Sequence, residues 1–485
     1  MLNQKKILTF LLALLTVSSA FYSCSEEEIV ADTDNASDTA DTAATETEPI
    51  LPDMTFDGAE IMFLTEESPH HEWYTSREIY VAELNGELLN DAVYERNLII
   101  EDQLDIKIAQ TNLQNASDVA SKSLIAGDDE YDVVMPYMNK AIPVAQQGLL
   151  MDLNTVPYLH LEREWWDQRA NADLILNGKQ FFSTGDISIL DNECTMVMFF
   201  NKDMITDFSL ASPYDYVQEG TWTIDVLSGM ITDITADADG DTVMTTNDRW
   251  GLSVANLAPL SFYFGSGERL AKYNADGTLN LAVGTNRAAD VMDKVTDLCY
   301  GNEVISYHTT GAVDYDTVSP IFNAGRLMFV THALVDISGY REAEFEFGIL
   351  PYPKYDETQD SYHCLISTGL VASTSVPYNC TQLETVGVTL EALAYYSKDT
   401  LTVAYYDTAL KSRYVRDEES GDMLDIIFAN RVYDLGYIFN WGGIGTMITD
   451  MYKAKNDALA STYASIETKT TSEMQETIDA FAEIK

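Results

Sequence analysis

Asp237, Asp239, Asp241, Val243, Thr245 and Asp248, in the run DADGDTVMTTND, fall at the ligand positions of an EF-hand-like loop. Alternating carboxylates and one backbone carbonyl, here that of Val243, are the oxygen donors that a hard cation such as calcium takes. The run departs from the usual pattern twice. Thr242 stands where the sharp turn usually has glycine, and the closing acid is Asp248, whose short side chain supplies one oxygen where glutamate supplies two. A solvated acidic turn is the alternative. Strict alternation followed by a closing acid favours a structural Ca2+ that neutralises clustered charge and pins the loop before Arg249–Leu252.

Signatures of enzymatic chemistry are missing. There is no P-loop, no G-x-S-x-G and no G-x-G-x-x-G after a strand, and His71-Glu72 is followed by Thr75 where H-E-x-x-H needs histidine. A glycosidase needs only two suitably separated carboxylates, but among 78 acidic residues that test separates nothing. No catalytic residue is assigned; hydrolysis stays as the second reading and a non-transport surface binding protein as the third.

Cys24 carries a different chemistry. Lys5 and Lys6 precede the apolar run Ile7 to Ala20, too short for a bilayer span of about 20 residues but suited to a secretory leader. Cys24 closes that segment, which predicts a signal peptide over 1–23 and a lipid attached at Cys24, with plain cleavage after Ala20 as the other outcome. No lysine or arginine follows until Arg77, and residues 24–54 are rich in Asp, Glu, Thr, Ser and Ala. Such a stretch cannot bury enough apolar surface to fold and is expected to be a tether. The remaining cysteines, Cys194, Cys299, Cys364 and Cys380, contain no C-x-x-C pair; Cys364 and Cys380 are nearest in sequence, and free thiols are the alternative.

Elements must position whatever the body binds. The chain has 485 residues and a net charge of −50, which excludes nucleic acid and anionic lipid surfaces as partners. From about residue 55 onward it exceeds what one core usually supports, so at least two lobes are expected. Glu60–Leu64, Asp105–Ala109 and Tyr131–Met135 read as strands; helices are expected from a cap at Asn90, over Ser117–Ala126, and at the C-terminus from a capping box of Ser472 and Gln475. The C-terminal helix carries the stripe Met474, Ile478, Phe481 and Ile484. Alternation of β and α predicts a parallel sheet covered by helices, with ligands beyond the carboxyl ends of its strands.

Five segments carry a longer resemblance: YDVVMPYMNKAIPVAQQGLLMDLN (131–154), FFSTGDISILDNECTMVMFFNKDM (181–204), IFNAGRLMFV (321–330), EFGILPYPKY (346–355) and YIFNWGGIG (437–445). In that order they resemble the extracellular solute-binding proteins of ABC importers, sugar-type family 1. The resemblance implies an α/β, two-lobed, periplasmic-binding-protein-like fold (type II) with a hinge between the lobes. Lobe one would hold 55–189 and lobe two 190–350, with 351–485 returning mainly to lobe one. It further implies a monomer on the outer face of the cell membrane that captures a carbohydrate, an oligosaccharide, and delivers it unchanged to permease subunits. Sugars offer C–H faces to flat rings and hydroxyls to carboxylates and amides. The expected contacts are therefore Trp73, Tyr137, Asp191, Asn192 and, in a Gly-rich loop where the family often places a stacking ring, Trp441. His70, His71 and His332 are weaker candidates. Trp165, Trp166, Trp222 and Trp250 are expected to be buried for area alone.

Overall fold

The computed structural model describes residues 51–69, 72–311, 313–340, 342–409 and 418–484. The leader, Cys24, the tether as far as residue 50, and His70 and His71 lie outside the described residues.

Lobe one alternates strand and helix: β1 (Ala59–Glu66), α1 (Leu88–Leu104), β2 (Ile106–Leu113), α2 (Ala116–Ala126), β3 (Val133–Met135) and α3 (Met138–Gln146). The strands run parallel in the order β2-β1-β3, with Ala59 opposite Ile106 and Phe63 opposite Val133. Ile61, Phe63, Leu64, Val133 and Met135 are all buried, as sheet positions covered from both faces must be. Glu66 ends β1 and accepts the Asn115 and Ala116 backbone N–H groups at 2.8 and 3.1 Å, placing a carboxylate on the otherwise unpaired start of α2. Helix α1 begins at Leu88, not at a cap on Asn90. Asn90 sits in the first turn, and it is Asp91 that holds the preceding loop by accepting from Asn85 and Gly86.

Lobe two follows a short crossover helix α4 (Leu190–Glu193) with β4 (Met196–Asn201), β5 (Trp250–Val254), β6 (Val304–Ser306), α5 (Tyr315–Asn323), β7 (Leu327–Ala333) and β8 (Phe347–Leu350). Its sheet order is β8-β4-β7-β5-β6. Only the β7-β5-β6 part is parallel; β4 is antiparallel to β7 and β8. The sheet is mixed because β4 carries the chain away from the crossover while its neighbours β7 and β8 bring it back. Phe199, Phe322, Tyr340 and Phe347 pack edge-on behind it.

After β8 the chain does not return to lobe one alone. Residues 371–377 lie antiparallel beside β3, where Val134 and Ser375 exchange backbone hydrogen bonds of 3.0 Å. Helices α6 (Leu383–Asp399) and α7 (Leu401–Ala409) pack on α1, but α8 (Glu418–Ala429) packs on β8 of lobe two. The last helix, α9 (Leu459–Glu483), touches both α3 and the lobe-two helix Asn286–Cys299. It starts well before the expected capping box, so Ser472 and Gln475 are mid-helix and bond to Glu476 and Asp479 one turn on. Its stripe of Met474, Ile478, Phe481 and Ile484 packs into the core as expected.

All four tryptophans expected inside are buried. Trp165 and Trp166 donate their indole N–H groups to one carboxylate, Glu391, at 3.2 and 3.1 Å. Cys194, Cys299, Cys364 and Cys380 are free thiols, so Cys364 and Cys380 do not pair. No described helix is long and apolar enough to cross a membrane.

Candidate functional site

A cavity of about 570 Å³ lies where the two lobes face each other. Its lobe-two wall is built from residues at strand ends: Ala255, Asn256 and Leu257 after β5, Ala333 closing β7 and Asp336 beyond it, and Asp314 to Asp316 at the start of α5. Tyr74, from the turn Glu72–Tyr74, supplies the lobe-one wall, and Ser367 and Leu370 of the return crossover close the end. This is the crevice beyond the carboxyl ends of parallel strands where such sheets bind ligands.

Side chains of the two lobes meet across the cleft. The Tyr74 hydroxyl donates to Asp336 Oδ1 at 3.4 Å, and the Trp73 ring meets Tyr315 edge-on at 5.4 Å. On the floor, His332 is 4 % exposed; its Nδ1 lies 3.2 Å from the Tyr340 hydroxyl and 3.5 Å from Asp336 Oδ2, while its Nε2 is buried without a hydrogen-bond partner. Burial pushes His332 down to about 4 and Asp336 up to about 7. The neutral imidazole therefore leaves one buried ring nitrogen without a hydrogen bond, which is costly for a polar atom removed from water. Asp314 accepts from Thr317 as the cap of α5, which holds its carboxylate below the usual range.

Trp73 stands beside this cavity, and Tyr137 one layer behind it, donating its hydroxyl to the Tyr74 carbonyl at 3.2 Å. Asp191 and Asn192 serve the crossover. Arg431 reaches Asp191 at 3.3 Å, Asn192 Oδ1 at 2.8 Å and Asp167 at 2.8 Å, with the Tyr433 hydroxyl on Asp167 at 2.7 Å. Burial pushes the Asp191 carboxyl up to about 7, against the pull of Arg431. One guanidinium thus faces two carboxylates, Asp167 and Asp191, at the crossover. Trp441 is also away from the cleft: it is 2 % exposed, stacked on Phe439 at 5.0 Å, with its indole N–H on Thr477. Its Gly-rich loop is glycine for packing, since a side chain at Gly442 would strike the Thr470 backbone. Tyr74, Asn256, Tyr315 and Asp336 were not among the expected contacts. The strand-end rule, applied to VANL after β5 and HALVD across β7, points to two of them.

In the acidic loop, carboxylate oxygens of Asp237, Asp239 and Asp248 lie within 4.8 Å of one another. Oxygens sharing one calcium at about 2.3–2.6 Å can be no farther apart than roughly 5 Å, so these three fit. Thr242 adopts φ +68, the left-handed turn that glycine usually supplies at its place. Asp241 Oδ1 instead accepts from the Val243 N–H at 2.7 Å, while Thr245 donates through both N–H and hydroxyl to Asp248 Oδ2. Of the four aspartates in the sequence pattern, three are thus gathered and Asp241 is not.

The sequence matches no protein-family model and no curated relative. Among solved structures the chain is similar to a cyclo/maltodextrin-binding protein complexed with maltotetraose, at 15 % identity and TM-score 0.56, over 86 % of this chain and 98 % of that one. It is similar also to an ABC substrate-binding protein from Listeria monocytogenes in complex with cycloalternan, at 14 % identity and TM-score 0.54, over 86 % and 100 %. A third is the apo form of RafE from Streptococcus pneumoniae, at 15 % identity and TM-score 0.56, over 86 % and 98 %. At such identities the likeness is one of architecture: the chain shares their two-lobed α/β, periplasmic-binding-protein-like fold.

Proposed function

We propose that this protein is the substrate-binding component of an ABC importer, capturing an oligosaccharide between its lobes and handing it unchanged to permease subunits. The observation that carries this reading is the inter-lobe cavity, lined by Tyr74 and Tyr315 together with Asn256, Asp314 and Asp316, so that aromatic and polar side chains border one space. The maltotetraose and cycloalternan complexes among its structural neighbours support a carbohydrate as the class. Closure follows from the geometry: contacts made to Tyr74 and to Tyr315 together exist only when the lobes meet, so a ligand shifts that equilibrium by its differential affinity. The test is a melting-temperature screen against maltooligosaccharides and other neutral oligosaccharides, with product analysis of each mixture. A ligand at 100 times its Kd adds about 2.7 kcal/mol to folding. Cleavage of the sugar would favour the hydrolase reading, and no shift with any oligosaccharide would remove the carbohydrate assignment.

The same reading places the body on the outer face of the membrane through a lipid on Cys24, as a monomer. Membrane partitioning that persists in Cys24→Ala would end that assignment. It also includes one structural Ca2+ held by Asp237, Asp239 and Asp248, which would bring the ends of the loop together beside Trp250, whose indole donates to the Thr245 carbonyl. Calcium should then raise the melting temperature, and Asp237→Ala with Asp239→Ala should erase the difference. Identical curves with calcium and with chelator would leave only a solvated turn.

A further inference from the structure

The cleft has a sign. Asp314, Asp316 and Asp336 line it, and no lysine or arginine does so among the described residues. Asp314 and Asp316 flank Tyr315, whose ring faces the same space as Tyr74. A carboxylate pair beside aromatic faces is the arrangement that holds an ammonium group, by charge and by the negative face of the ring. Asn256 and His332 line the same cavity, and His332 Nε2 makes no hydrogen bond, so polar groups as well as rings border the space.

Resting on the carbohydrate reading above, we propose that the cleft takes a saccharide bearing a protonated amine, an amino sugar, and turns away saccharides bearing carboxylate, sulfate or phosphate. The net charge of the chain does not carry this, because charge spread over the surface is screened beyond about 8 Å at physiological salt. What carries it is the missing counter-charge along the lining, at the short range where charges on one cavity wall still act on a bound ligand. An anionic sugar brought there would meet the carboxylates of Asp314 and Asp316 with no basic group to offset them. An ammonium placed over Tyr315 would meet both.

The test is calorimetric titration of the full protein with glucosamine oligomers, their N-acetylated forms, galacturonate oligomers and maltotetraose. The glucosamine oligomers are expected to bind at least about tenfold tighter than the N-acetylated ones at low salt, the gap closing as salt rises. Galacturonates should not bind. Asp314→Asn with Asp316→Asn should remove both the preference and its salt dependence, with the melting temperature reporting an intact fold. Galacturonate binding, or glucosamine oligomers binding no tighter than their N-acetylated forms, overturns the inference. Maltotetraose binding alongside that result leaves the carbohydrate reading standing; silence from all four ligands overturns both.

Discussion

Single residues divide into those that face the cleft and those that hold its walls, and aromatic side chains show the division most clearly. Tyr315 is half-exposed at the start of α5 and Trp441 is buried between Phe439 and α9. The two should therefore respond oppositely to truncation. Tyr315→Ala is expected to leave the melting temperature close to that of the parent and to weaken the best saccharide found by about 1–3 kcal/mol, the scale of a lost apolar anchor. Trp441→Ala removes a stacked core ring and an indole hydrogen bond, and should cost about 3–5 kcal/mol of stability. Chemical denaturation and titration of the two variants check the contrast. A stable Trp441→Ala with impaired binding would return that residue to the ligand site.

At the level of elements, the crossover is held by charge in a place that excludes water. Arg431 serves Asp167, Asp191 and Asn192, while Arg77 reaches Glu193, in the same short helix as Asp191 and Asn192, at 2.6 Å. Replacing Arg431 with methionine keeps the bulk but strands two carboxylates, which should destabilise by about 3–5 kcal/mol, the usual result of removing one partner from a buried ion pair. Adding Asp167→Asn and Asp191→Asn to that variant should recover a large share; a triple variant no more stable than Arg431→Met would show that packing, not charge, sets the cost. Arg431 also explains how far the sequence could be read. The β–α alternation of lobe one was legible because β1 and β3 are continuous apolar runs and α2 ends on Gly127. The crossover at Asp191 and Asn192 was legible as a place, but their partner is far along the chain, and no local pattern says whether a carboxylate faces a sugar or an arginine. The α9 start was misread because Ser472 and Gln475 imitate a cap in a helix whose true start, at Ala458, has no capping side chain. Trp73 and Tyr137 fell near the cleft because they follow strands, which is also why the strand-end residues Asn256 and Asp336 were within reach.

For the molecule as a whole, the buried carboxyls set how stability depends on pH. Burial pushes Asp191, Glu193 and Asp336 up to about 7 and Asp173 and Asp186 up to about 6. In the unfolded chain the same groups titrate near 4. Between those values the folded state binds more protons than the unfolded one, so stability falls as pH rises from about 4.5 towards 7 and levels off above it. Each such group contributes a slope of at most about 1.4 kcal/mol per pH unit. The general self-repulsion of a chain with 78 acidic and 28 basic residues acts in the same direction, because protonation lowers the net charge. Opposing this at the acid end are Asp314 and Asp356, whose carboxylates take hydrogen bonds from Thr317 and Thr358 and are held below the usual range, so their contribution disappears as pH falls through about 4 and lower. The melting temperature should therefore peak on the acidic side, at about pH 4.5, and decline towards neutrality. Asp336→Asn should flatten that decline, since an amide keeps the acceptor for the Tyr74 hydroxyl without a proton to lose. Thermal melts across the range decide it: a melting temperature that climbs steadily from about pH 5 to 7.5 would mean that these carboxyls are ionised in the fold, each stabilised by its partners more than burial opposes it.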